Sequence, residues 1–147
     1  MNDTEPGPGP GPEPAADDRT PAPTTRRSAG EQVVRDMFGE AFLRDEIVTR
    51  ATAEGPRAAL TRFTLEHVFG DVWSRPGLDR RSRSLVTLGI LMAQGHQWEL
   101  SNHIVGGLAN GLKPEEILEA VLHAIPYVGY PTGGQAMATA TRTLSET

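Results

Sequence analysis

Between Arg80 and Ala93 the chain reads RRSRSLVTLGILMA, and Leu85, Val86, Leu88, Ile90, Leu91 and Met92 cover the whole circumference of a helix. A helix that is apolar all round must be buried. A small monomer has little material to bury it with, so other helices, or further copies of the chain, are expected to wrap it. Asp79 is placed to cap its start, and Gly95 is expected to end it.

The remaining segments supply such helices. Val33, Val34, Met37, Phe38, Phe42 and Leu43 recur at helical spacing from Glu31 onward. A second amphipathic stretch follows Gly55 and Pro56 and runs to Val68 before Gly70, and residues 70–78 read as a connection with Trp73 as its aromatic anchor. A helix from Trp98 to Ala109 stops at Asn110 and Gly111. The next opens at Pro114 with Glu115 and Glu116 over its positive end, and Pro126 is expected to kink or close it. Residues 132–144, rich in Ala, Thr and Gly, suggest a helix packed closely on its neighbours. Period-two alternation is nowhere sustained, so the expected fold is all-α with about six helices.

Seven of the twelve prolines fall in the first 28 residues, which carry no large apolar side chain after Met1. Residues 1–28 are expected to form a disordered Pro/Gly-rich tail, and residues 29–147 the folded domain. The net charge of −5 argues against nucleic acid, whose binding rests on neutralising phosphates. Arg80, Arg81 and Arg83 read as a solvated first helical turn. The absence of cysteine excludes thiol peroxidase, disulfide reductase, cysteine hydrolase and thiolate-zinc chemistry. No apolar run approaches the ~20 residues needed to span a bilayer, and the first residues lack a leader pattern, so a soluble, cytoplasmic protein without membrane partners is expected.

Glu99 and His103, four residues apart on a helix, share one face, with His96 on the preceding loop. Such a pair is also common as a solvated surface contact. Glu-x-x-x-His supplies two ligands where zinc sites want three or four, so no metal is expected. His123 reads equally as a core or interface histidine, and Trp73, Trp98, Tyr127 and Tyr130 as packing anchors.

The run WSRPGLDRRSRSL from Trp73 to Leu85, then Glu99-Leu100 and His103, Asn110-Gly111, Glu115-Glu116-Ile117 and Tyr127-x-Gly129-x-Pro131 resemble the carboxymuconolactone decarboxylase family over about residues 31–143. The resemblance implies an alkylhydroperoxidase-like helical fold assembled as a homotrimer or homohexamer. It implies a carboxy-lyase that decarboxylates a small carboxylated lactone in aromatic catabolism without a cofactor. His103 takes the acid-base role, and Glu99 orients it and raises its pKa. His96, Trp98, Trp73, Arg83, His123 and Tyr127 complete the candidate substrate-binding set. Family decarboxylases commonly carry basic residues where this chain has His96 and Val105. That leaves open an isomerase or cyclase acting on another small molecule or polyketide-like substrate, or a non-catalytic oligomeric binding protein.

Overall fold

The computed structural model describes residues 25–147, and the remainder of the expected tail lies outside them. Among the described residues every regular element is helical. The order is α1 (Arg26–Phe42), a π-helical stretch Leu43–Val48, the single turn α2 (Thr49–Thr52), α3 (Pro56–Phe63) and a second π-helical stretch Thr64–Trp73. Then follow α4 (Arg80–Gln94), α5 (Gln97–Ala109), α6 (Pro114–Val128) and α7 (Tyr130–Glu146). Leaving aside the single turn α2 and the two π-helical stretches, six α-helices remain among the described residues, the number expected.

Helix α1 opens three residues ahead of the expected boundary at Ala29. Thr25 caps it by accepting the Ser28 N–H at 3.1 Å, giving the first turn a start that hydrophobic periodicity does not register. Near its end Gly39 takes φ 88°, ψ 164°, a conformation open to glycine and costly for other residues, and the helix bends there. The stretch around Gly70 is helical rather than a connection, because Gly70 is where this segment crosses α1. A methyl group on Gly70 would lie 2.2 Å from the Arg26 carbonyl oxygen, and one on Gly30 would lie 2.0 Å from that of Leu65.

Two hydrophobic cores result. Val33, Val34, Met37, Leu43, Leu65, Phe69 and Trp73 form the first, and Phe38 and Phe42 pack onto it. Leu88, Met92, Leu100, Ile104, Leu112, Ile117, Val121, Ala136 and Ala140 form the second. Helix α7 is small-sided where it meets its neighbours, with Ala136, Thr139, Ala140 and Thr143 all buried, as its composition suggests.

The expectation that α4 is buried all round is corrected. Ser84, Leu88 and Met92 face the second core, while Val86 and Ile90 on the other side are 55% and 51% exposed. Its neighbours α5, α6 and α7 leave that side open. Its boundaries are as expected: Asp79 accepts the Ser82 N–H at 2.9 Å, and Gly95 ends it at φ 73°. Pro126 neither closes α6 nor interrupts it, for the helix runs on to Val128 and stops at Gly129, φ 85°. Pro126 is exposed, so water can serve the carbonyl left without an intrahelical donor. The three arginines at the head of α4 are tied down. Arg80 pairs with Asp36 at 2.7 Å, Arg81 with Glu116, and Arg83 with backbone carbonyls.

Candidate active site

Helix α5 divides its two faces between different surroundings. Leu100 and Ile104 point into the second core. Trp98, Glu99, Asn102 and His103, at positions i, i+1, i+4 and i+5, form one stripe along the other side and line a pocket of about 120 Å³. The opposing wall comes from Phe38 and Phe42 of α1, Ile47 of the first π-helical stretch and Phe69 of the second. All the polar chemistry of the pocket therefore stands on one helix, against a wall of aromatic and aliphatic side chains.

His103 is held between rings. Trp73 stacks on it at a centroid distance of 5.9 Å and an interplanar angle of 25°. Phe38 stands nearly perpendicular at 6.0 Å and 83°. The Nδ1 atom is buried and has no hydrogen-bond partner among the described residues. Burial pushes the imidazole pKa below its ordinary value of about 6.5, because removing water penalises the charged ring, and the Glu99 carboxylate opposes that shift. Burial prevails. Glu99 thus pushes in the expected direction but is outweighed, so the shift favours the neutral imidazole over the imidazolium. No hydrogen bond joins the two side chains; Glu99 is exposed at the rim.

The other candidates separate. Trp98 shares the pocket and is 67% exposed. Trp73 is buried behind His103 and lines the two adjoining clefts instead. Arg83 lines one of these, and its guanidinium donates to the carbonyls of Leu78 and Arg75, each at 3.0 Å, bracing the turn before α4. His96 is exposed at the residue preceding α5. His123 and Tyr127 pack on each other at 5.5 Å on α6, and His123 lines a separate groove of about 700 Å³ with Leu85, Gly89 and Met92. Within one chain, then, Glu99, His103 and Trp98 meet in the pocket with Trp73 behind them, while Arg83, His123 and Tyr127 stand elsewhere. Sequence reasoning missed Asn102, Phe38, Phe42, Ile47 and Phe69. Asn102 was legible as the i+4 neighbour of Trp98; the aromatic wall comes from distant segments and carried no signal beyond core periodicity. Among the described residues no three His, Asp or Glu side chains converge where a metal ion could be held.

The model of the carboxymuconolactone decarboxylase family matches residues 58–142. The chain is 37% identical over 117 residues to nitrosuccinic acid decarboxylase of Metarhizium robertsii, a match covering 80% of each protein. It is 43% identical over 75 residues to 4-carboxymuconolactone decarboxylase of Acinetobacter baylyi, covering 51% of this chain and 56% of that protein.

Proposed function

Because the chain belongs to the carboxymuconolactone decarboxylase family, we propose that it is a cofactor-free carboxy-lyase with His103 as its acid-base residue. The substrate is a small carboxylate bearing its own electron sink. The two relatives are named for substrates that share this property. In 4-carboxymuconolactone the departing carboxylate sits on a carbon vinylogous to the lactone carbonyl; in nitrosuccinic acid a carboxylate neighbours a nitro group. In either case the bond from carbon to carboxylate breaks, carbon dioxide leaves, and the electron pair passes into the sink. Protonation of carbon completes the reaction.

The observation that carries this reading is a largely buried histidine in an aromatic pocket, with Glu99 as the only other ionisable side chain lining it among the described residues. An apolar wall solvates a compact carboxylate poorly and a delocalised anion less badly, which favours loss of carbon dioxide. A substrate anion arriving beside His103 opposes the effect of burial, so the ring takes up a proton on binding and returns it to carbon. The Asn102 amide and the Trp98 indole N–H supply neutral donors for the oxygen atoms of the sink.

Among the described residues neither Arg nor Lys lines this pocket, and Val105 and His96 stand where family decarboxylases commonly carry basic residues. Both substrates carry two carboxylates, so this bears on either alike, and it is the longer match to the Metarhizium enzyme that favours an acid of the nitrosuccinate type over the lactone. Carbon dioxide release from nitrosuccinate and from 4-carboxymuconolactone, measured side by side, is the test; turnover of neither by the folded protein would overturn the reading. The working form in this proposal is a homotrimer or homohexamer, in which a second copy covers exposed Val86, Ile90, Leu122, Tyr127 and Tyr130. Light scattering reading a monomer at micromolar concentration would remove that part.

A further inference from the structure

The ring of Phe38 occupies a place that another helix has to vacate. Phe38 is the residue before the bend at Gly39, and it reaches α5 over Gly106, one turn beyond His103. A methyl group built on Gly106 would come within 2.9 Å of Phe38 Cε1 and 2.9 Å of Met37 Cε. The absent side chain at Gly106 is therefore the socket in which the ring sits. Phe42 at 5.2 Å and Phe69 at 6.2 Å hold it from the pocket side.

A histidine that moves protons is ordinarily oriented by a carboxylate or carbonyl on its second ring nitrogen. His103 has no such group among the described residues, since Nδ1 is buried without a partner. What it has instead is Trp73 nearly parallel and Phe38 nearly perpendicular. We propose that Phe38, seated in the Gly106 socket, is a positioning residue for His103: with Trp73 it fixes the imidazole plane and keeps water from the ring. The inference rests on the reading of His103 as the acid-base residue. Helix α1 and both π-helical stretches present only apolar side chains to the pocket, so Glu99, on the histidine's own helix, is among the described residues the one charged group there to affect its titration.

The test is NMR titration of the His103 ring in protein labelled at histidine, with the resonance assigned from His103→Gln. The variants are Phe38→Ala, Phe38→Leu and Gly106→Ala, each checked for folding by circular dichroism. In the wild type the ring titrates below about 6.5. Phe38→Ala admits water, raises the titration back toward about 6.5 and lowers kcat more than it changes KM. Phe38→Leu refills the socket and recovers most of both. Gly106→Ala displaces the ring and moves the titration the same way, whereas in the Phe38→Ala background it adds nothing. An unmoved titration in folded Phe38→Ala, or equal shifts for the alanine and leucine variants, would overturn the proposal. Should His103→Gln keep full turnover while Phe38→Ala still moves the titration, the catalytic reading fails and the positioning geometry stands.

Discussion

The two cores of this molecule are built by different means. The second, under α4 to α7, consists of regular helices with aliphatic and small side chains meeting at Leu88, Ile104, Ala136 and Ala140. The first, under α1 and the stretch Thr64–Trp73, adds aromatic rings, Phe69 and Trp73 with Phe38 and Phe42 packed on it, carries two π-helical segments and bends at Gly39. A π-helical turn is rare and is frequently found at functional sites. Helix α5 lies between them, anchored in the regular core and presenting Glu99, Asn102 and His103 to the irregular one. The regular half thus serves as foundation, and the irregular half supplies a pocket wall that ideal helix packing would have closed.

This contrast can be broken at either end. Ile104 is fully buried in the foundation of α5, so Ile104→Ala should destabilise by about 2–5 kcal/mol, measured by denaturant unfolding. A loss below ~1 kcal/mol would mean that α5 is not anchored there. On the irregular side, Gly70→Ala drives a methyl group into the Arg26 carbonyl and should cost about 1–3 kcal/mol, because backbone cannot yield as a side-chain tip can.

The histidine links the two halves to pH. His103 has its folded-state pKa below the unfolded value of about 6.5, so the unfolded chain binds the proton more readily. Its contribution is full above pH ~6.5 and is lost as pH falls from there through the lowered folded pKa. Unfolding curves from pH 8 to 5 should show this decline, reduced in His103→Gln. The smallest effect belongs to the exposed carboxylate. Glu99→Gln removes the charge that holds the His103 pKa up, so the alkaline fall of kcat/KM moves to lower pH. An unmoved profile would leave Glu99 without a part in the titration.

Much of the foundation was legible in the sequence, because its signals are local. Asp79 before α4, Gly95 after it, Pro114 with Glu116 at the head of α6 and the Glu99/His103 spacing all act within one or two turns. The pocket wall was not legible. Hydrophobic periodicity places Phe38 and Phe42 on an apolar helix face and passes over Phe69, and the bend at Gly39 and the crossing at Gly30 and Gly70 decide which element these rings meet. The exposed edge of α4 was hidden for the opposite reason. An apolar circumference states that Val86 and Ile90 want cover, and one chain does not provide it.

The central claim is that His103 moves the proton in a decarboxylation. Carbon dioxide release by wild type and His103→Gln, measured at neutral pH on whichever of nitrosuccinate and 4-carboxymuconolactone the protein turns over, addresses it most directly. The account predicts a fall in kcat of about 10²- to 10⁴-fold with the fold retained. A folded His103→Gln that releases carbon dioxide at the wild-type rate would contradict it.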